Sequence, residues 1–433
     1  MKKINRANQR LNEITPNTLI VGVDIAKNEH WARFVDFRGI EHGKAIKFKN
    51  DINGFTTIVS EINKLCKSKI LVYPFNKIIV GMEPTGHYWK DLAQFLMKKG
   101  IMVVGVNPFH TKKAKELDDN SQTKSDKKDA ITIARLVKDG RYFEPYIPEG
   151  VYGELRVLVT ARTSLVKKSN AVKNTIIAII DEYFPEFTKV FKQPLKGKAA
   201  MQVLKECPFP AYILKAGAEG VLRVIKKAVK KTVGIKRAEA LVEAAKSSVG
   251  VNYGLAAAKI KLRQNIEELE LINKQLDEIE QEMATQLTET GYGNKILAIK
   301  GIGVITAASF LGEVGDLKRF DSARQISNMA GYNLTEDSSG KNKSGTTISK
   351  RGRKVLRSVL YSMAMTCVAT NEELKKLYKH LKTRANNPLK KKQALIVISK
   401  KIVTIIYTIV TKDTIYQPER VLGKVRREML MAA

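Results

Sequence analysis

Two apolar runs of strand length, Thr18-Leu-Ile-Val-Gly-Val-Asp24 and Lys77-Ile-Ile-Val-Gly-Met-Glu83, each close on a carboxylate. A run this continuously apolar is stable only as a strand covered on both faces, so the chain must build a sheet with helices over it. Trp31 to Asp36 and Lys44 to Lys49 read as antiparallel successors of the first run. A helix-like stretch Ile52 to Cys66, a helix from Tyr88 to Lys98, a strand Ile101 to Val106 and a helix-forming stretch Asp126 to Lys138 follow. Antiparallel strands leading into β-α-β units predict a mixed α/β sheet.

The rest of the 433 residues reads as helical. Leu155 to Ile180 has helical spacing, and Pro185, Pro194, Gly197, Pro208 and Pro210 then break the pattern into a looser, basic region. From Leu262, the residues Ile266, Leu269, Ile272, Leu276, Ile279, Met283 and Leu287 recur at spacings of three and four. That spacing predicts a long amphipathic helix, either a coiled coil between subunits or a helix packed inside its own chain. Gly301-Ile-Gly303, between apolar helical stretches, resembles a helix-hairpin-helix turn, with a simple tight turn as the alternative. The predicted organisation is a polar leader 1–17, an α/β domain 18–150, a helical linker 151–183, a basic insertion 184–250, a long helix 251–290 and a mainly α C-terminal domain 291–433.

Charge narrows the function. Lys and Arg number 76 against 43 Asp and Glu, a net +33, and the last 143 residues hold 27 basic against 10 acidic side chains. An excess of this size favours a polyanion, and nucleic acid is the first expectation. No uninterrupted apolar run reaches the ~20 residues of a spanning helix, and the N-terminus lacks a signal-peptide stretch, so no membrane is expected and the location expected is cytoplasmic. Cys66, Cys207 and Cys367 lie far apart, without a zinc or disulfide pattern, and are expected to be small buried hydrophobes.

Asp24 and Glu83 end strands, while Asp126 and Asp129 stand three apart where a helix would begin, on one face of its first turn. Clustered carboxylates repel unless a cation neutralises them, and hard Mg²⁺ takes oxygen ligands. These acids are therefore candidates for a metal centre of phosphoryl transfer. Strand order and the acid on the first strand match an RNase H-like fold, whereas a dinucleotide-binding reading fails for want of G-x-G-x-x-G after that strand. Downstream, Ser338-Ser339-Gly340 precedes Lys341, Lys343, Lys350, Arg351, Arg353, Lys354 and Arg357, with no acid between 341 and 357. Those cations are candidates for nucleic-acid contact, with Arg351, Arg353 and Arg357 first, and the runs Lys390 to Lys392 and Lys400-Lys401 are generic phosphate-contact surface. His87, beside Glu83, could act as acid or base, although a lone loop histidine is more often surface or packing.

Val23-Asp24-Ile-Ala-Lys27, Met82-Glu83-Pro-Thr-Gly86-His-Tyr88, Val106-Asn107-Pro108 and Lys124-Ser-Asp126-Lys-Lys-Asp129-Ala130 resemble the signatures of the RuvC-like DEDD domain of IS110-family transposases. Gly301-Ile-Gly303, Phe320 to Gln325, Ala330-Gly331, Ser339-Gly340 and Ile348 to Arg357 resemble that family's second domain, in the same order. The resemblance implies an insertion-sequence recombinase with donor and target DNA as substrates. It implies Mg²⁺ on Asp24, Glu83, Asp126 and Asp129, and a serine nucleophile completing a composite site between subunits through a 5′-phosphoserine intermediate. It also implies a tetramer guided by a structured bridge RNA. The nucleophile falls on Ser339, with adjacent Ser338 as the alternative. A RuvC-type junction nuclease that uses water, and a catalytically inactive nucleic-acid binder, are the competing readings.

Overall fold

A computed structural model describes residues 6–68, 74–118, 126–229, 234–335, 338–339, 342–343 and 347–423. The side chains of Asp126, Ser338, Ser339 and Lys343, and the whole of Lys341, lie outside the described residues. The chain divides into two units, Met1–Ile147 and Pro148–Ala433.

In the first unit, helix α1 (Arg6–Asn12) precedes strands β1 (Thr18–Asp24), β2 (Glu29–Val35) and β3 (Ile46–Lys49). Helix α2 (Ile52–Cys66), β4 (Lys77–Met82), α3 (Trp89–Lys98), β5 (Met102–Val106), α4 (Pro108–Asp118), α5 (Asp126–Lys138) and β6 (Tyr142–Phe143) complete it. The sheet runs β3-β2-β1-β4-β5-β6, with β1, β4 and β5 parallel and β2, β3 and β6 antiparallel to their neighbours. The mixed sheet expected from the sequence is present, with β1 and β4 at its centre. Both faces of β1 are covered: Leu19, Val21 and Val23 join the core with α2 and α3, while Ile20 joins the core with α5. Asp51 caps α2, its carboxylate accepting the Gly54 N–H at 2.8 Å.

The second unit is helical. Helix α6 (Gly150–Tyr183) leads through α7 (Phe187–Val190), α8 (Lys198–Glu206), α9 (Pro210–Ala228) and α10 (Lys236–Lys246) to α11 (Leu255–Glu289). Then follow α12 (Gly293–Leu297), α13 (Val304–Val314), α14 (Ala323–Met329), the short strands β7 (Leu334–Thr335), β8 (Ser338–Ser339), β9 (Asn342–Lys343) and β10 (Thr347–Ile348), and helices α15 (Lys354–Thr370), α16 (Glu372–Thr383) and α17 (Lys391–Thr411). The segment that reads as a loose basic insertion forms α7 to α10, whose Phe187, Val203, Leu204, Ile213, Val221, Ile225 and Leu241 share a core with α6 and α11.

The pair α6 and α11 packs antiparallel: Val172, Ile176 and Ile179 meet the Leu262 to Leu269 end in one core, and Leu155 and Val159 meet Met283 and Leu287 in the other. Arg162 Nε donates to Glu280 Oε1 at 2.7 Å between them. The apolar seam of α11 is thus seated on a helix of its own chain, the in-chain alternative. Helix α17 is long and apolar enough to cross a membrane by length and composition, but Ala394, Leu395, Ile398, Ile402, Val403, Ile406, Ile409 and Val410 lie in the C-terminal core. Gly301, at φ +101°, has no room for a side chain, since a Cβ would stand 2.8 Å from Cys367 Cα. That turn lets a helix pair approach α15 and is spent on packing. Cys207 and Cys367 are buried and Cys66 half-buried; burial pushes the Cys207 thiol to about 11 and the Cys367 thiol to about 12, as inert hydrophobes require.

At the C-terminus of α13, the buried Glu313 carboxylate accepts from Arg156 Nη1 at 3.0 Å and lies 3.6 Å from Arg353 Nη1. Both guanidiniums also donate to the Glu313 carbonyl oxygen, at 2.7 and 3.0 Å. Desolvation by burial raises the Glu313 carboxyl above its ordinary value, and the pull of Arg156 only partly offsets it. A carboxyl raised in the folded state favours folding below the usual carboxylate range, and that contribution is lost as pH rises through the folded-state value. Glu313→Gln, which leaves both carbonyl bonds intact, should change stability by no more than about 1 kcal/mol. Arg156→Met, which leaves the buried carboxylate only the longer contact with Arg353, should cost about 2 kcal/mol in denaturant unfolding near neutral pH and less in acid.

Candidate active site

The register between β1 and β4 decides where the first two acids stand. Val23 pairs with Met82 across the parallel ladder, so Asp24 and Glu83 sit level with one another on neighbouring strands, whose axes lie about 4.8 Å apart. Side chains alternate along a strand, and Ile20 and Gly22 already face α5; Asp24 continues that face. On β4, Gly81 faces α5 as well, and Glu83 follows two residues later.

The helix is held unusually close. A Cβ on Gly22 would lie 2.0 Å from the Ala130 carbonyl oxygen and 2.6 Å from the Ala134 nitrogen, and one on Gly81 would lie 2.4 Å from Val137 Cγ2. Two glycines at matching register, Gly22 opposite Gly81, thus let α5 settle onto the sheet. Ala130 lies over Gly22, and the last residue of α5 lies by Gly39, beyond the start of β1, where a Cβ would stand 3.2 Å from Lys138 Cδ; the first turn of the helix, with Asp126 and Asp129, therefore points toward the end of β1 that carries Asp24.

Local bonds occupy these carboxylates in different ways. Glu83 Oε1 accepts from Thr85 Oγ1 at 2.8 Å, and the Thr85 N–H donates to the Glu83 carbonyl oxygen at 2.8 Å, closing a tight turn after β4. Asp129 Oδ2 lies 2.5 Å from Lys115 Nζ, an ammonium supplied by α4 that sequence reasoning did not single out. The only signal for it was the basic run of a helix that itself went unrecognised. Among the described residues no three His, Cys, Asp or Glu side chains gather closely enough to hold a metal ion. The donor set is nonetheless carboxylate oxygen, the kind a hard divalent cation takes. His87 is exposed and its ring packs on Tyr88, with centroids 4.1 Å apart.

In the second unit, Leu334 pairs with Ile348 and Thr335 with Thr347, and beyond them Ser338 pairs with Lys343 and Ser339 with Asn342. The backbone at Ser339 therefore belongs to the inner rung of a narrow hairpin. Its base is fastened by a bracket of close backbone contacts. Gly331 has φ +76°, a Cβ on Gly352 would lie 2.5 Å from the Met329 carbonyl oxygen, the Arg353 N–H donates to that oxygen at 2.8 Å, and the Lys350 N–H donates to the Gly331 carbonyl oxygen at 3.1 Å. Arg357 Nη1 adds bonds to the carbonyl oxygens of Ala330 at 2.9 Å and Lys350 at 3.0 Å. Two of the three arginines singled out for nucleic-acid contact, Arg353 and Arg357, thus hold the bracket and α13 together, while Lys350, Arg351 and Lys354 are exposed.

Comparison with known proteins bears on this arrangement. A DEDD family model of the IS110 type, described as transposase, matches residues 21–185, and a second, described as transposase of the IS116/IS110/IS902 family, matches residues 293–379. The chain is 22% identical to an insertion element IS116 protein of Streptomyces clavuligerus, over 92% of this chain and 96% of that one. It is 24% identical to a mini-circle putative transposase for IS117 of Streptomyces coelicolor, over 80% and 84%, and 21% identical to an insertion element IS110 protein of the same species, over 70% and 74%. A mixed sheet with acids at its strand ends, followed by a helical unit that carries its own transposase signature, defines a DEDD transposase with a RuvC-like N-terminal fold. The chain belongs to the IS110/IS116 family of insertion-sequence transposases. It is accordingly an enzyme acting on DNA, and membership of a DEDD family suggests dependence on a divalent metal.

The close seat of α5 yields a direct test. Gly22→Ala inserts a methyl group into the Ala130 backbone, and should lower the stability of the N-terminal unit by about 3 kcal/mol in urea unfolding followed by the fluorescence of Trp31 and Trp89.

Proposed function

We propose that the protein excises and inserts its own element by serine recombination, with Ser339 as nucleophile and Asp24, Glu83, Asp126 and Asp129 as ligands of Mg²⁺. The observation that carries the reading is the β1–β4 register, which levels Asp24 with Glu83 at the ends of neighbouring strands, on the sheet face that α5 covers. When bound there, Mg²⁺ supplies positive charge against the phosphate and neutralises the acids. Lys115 holds Asp129 Oδ2 and would compete with a cation for that oxygen.

In the proposed step, Ser339 Oγ forms a bond to phosphorus as the P–O3′ bond breaks. The hydroxyl proton leaves the serine, and the departing 3′ oxygen takes up a proton. The 5′-phosphoserine so formed keeps the energy of the broken diester, so a 3′ hydroxyl from another strand can attack it, release the serine and close a new junction. Lys341, Lys343, Lys350, Arg351 and Lys354 position the backbone, with Arg353 and Arg357 contributing charge from the bracket. Guidance by a structured bridge RNA, assembly as a tetramer and action in the cytoplasm on nucleoid DNA belong to the same reading, and rest on the family resemblance.

Incubation with Mg²⁺, RNA transcribed from the element's flanks and labelled donor DNA should leave label on the denatured protein. Ser339→Ala should abolish the adduct, and peptide mapping separates Ser339 from Ser338. Cleaved DNA without adduct would assign hydrolysis by water, and binding without cleavage an inactive copy. Asp24→Ala should eliminate cleavage and leave salt-dependent DNA binding largely intact, because removing an acid cannot weaken attraction to phosphate. Lys115→Gln should tighten Mg²⁺ or Mn²⁺ binding by about two- to fivefold in calorimetry, the worth of one half-exposed ion pair.

A further inference from the structure

Between α14, the start of β7 and α17 lies an open cleft of about 750 Å³. Arg324 and Lys400 both line it, together with the polar side chains of Ser327, Asn328, Asn333 and Thr404. No carboxylate lines the cleft, and among the described residues neither cation has an acidic partner. Arg324 is exposed and Lys400 half-buried, whereas the half-buried Arg156, Arg162 and Lys205 of the same unit are each paired with a glutamate.

Lys400 is half-buried, and burial together with the neighbouring charge of Arg324 holds its ammonium below the ordinary lysine range. Two cations brought together without an anion repel, and folding tolerates the repulsion only at a cost in stability. Such a cost is characteristic of a site shaped for a ligand that is absent from the folded chain alone. The missing partner must be anionic, and the amide and hydroxyl groups suit oxygen atoms that accept several hydrogen bonds at once, as a phosphate does. Asn333 and Leu334 connect the cleft to the base of the hairpin that carries Ser339.

We propose that the Arg324–Lys400 cleft is a phosphodiester-binding site that seats one segment of nucleic-acid backbone at the base of the serine hairpin. The inference rests on the nucleic-acid reading above and adds to it a particular place of contact. Arg324 supplies a planar fork to two oxygens, Lys400 a point charge, and Asn328, Asn333 and Thr404 complete the contacts. A binding cleft of this kind would accept the backbone of DNA or of RNA, which share the group it recognises.

The test uses the full chain with Arg324→Gln, Lys400→Gln and Lys400→Arg. Binding of a labelled duplex DNA and, separately, of a labelled RNA hairpin is followed by fluorescence anisotropy over a range of NaCl concentrations, without divalent metal. Each Gln variant should weaken binding by about tenfold at low salt. Each should also reduce the slope of log K on log salt by about 0.9 for a duplex, or about 0.7 where the contact is single-stranded. Lys400→Arg should retain most of the affinity. The nucleic acid whose slope falls is the one that occupies the cleft. Unchanged slopes for both would overturn the proposal. In the absence of nucleic acid, Arg324→Gln relieves the repulsion, so the thermal midpoint should stay level or rise. A lower midpoint would make the guanidinium a structural group and likewise overturn it. Neither readout depends on whether Ser339 forms an adduct, so failure here and failure of the recombinase reading are separately visible.

Discussion

The arrangement of the acids depends on how close α5 can come to the sheet. Gly22 and Gly81, opposite one another on the two central strands, leave no side chain between strand and helix, and the Ala130 carbonyl oxygen occupies the space a methyl group would need. The apolar residues around them, Ile20, Ile79, Ile133, Ala134 and Val137, fix the helix in that seat by burial. With the helix so placed, its first turn has one direction to go, toward the strand ends that carry Asp24 and Glu83. Helix–sheet packing, driven by ordinary hydrophobic burial, thereby sets where the start of α5 lies relative to the strand ends, and there Asp129 meets the ammonium of Lys115.

The central strands and the acids were legible because a fully buried strand has no room for polar residues, so a carboxylate at its end marks a boundary. Helix α4 was not legible: Pro108-Phe-His-Thr-Lys-Lys-Ala-Lys-Glu-Leu-Asp118 has few apolar positions to show a period, and it brings in Lys115, the partner of Asp129. Strand β6 has two residues, too few to alternate. Between 184 and 250 the prolines and glycines were read as breaks, yet Pro210 stands in the first turn of α9, where its missing N–H costs nothing. Of those helices α7, α8 and α10 are short, and the four present between one and four buried residues each, enough to pack on α6 and α11 but not enough to show in a sequence window. In the C-terminal unit the run of cations was plain to see, but its division of labour was not. Whether an arginine faces solvent or caps a helix depends on which carbonyl oxygens the fold brings within its reach, as Arg353 and Arg357 show.

Cations in the helical unit consequently serve two ends. Arg156 and Arg353 stand at the C-terminus of α13, where the helix dipole and unpaired carbonyl oxygens favour positive charge even before Glu313 is counted. Arg324 and Lys400 have no such internal partner among the described residues. A basic protein can thus be sorted by the bonds its arginines and lysines already make, and the unsatisfied ones carry the more direct information about what it binds.

The antiparallel pair α6 and α11 belongs to both cores of the helical unit, the one formed with α7 to α10 and the one formed with α12 to α17. Neither core can dissolve without exposing half of a helix that the other still holds, so the two are coupled through a shared spine of some 35 residues. Amide protons along the middle of α6 and α11 should therefore exchange with solvent only through opening of the whole unit, while those of α7 and α16 can exchange by local fraying. The spine makes the unit a single mechanical element, able to bear a load applied at one end of the long helices and deliver it at the other.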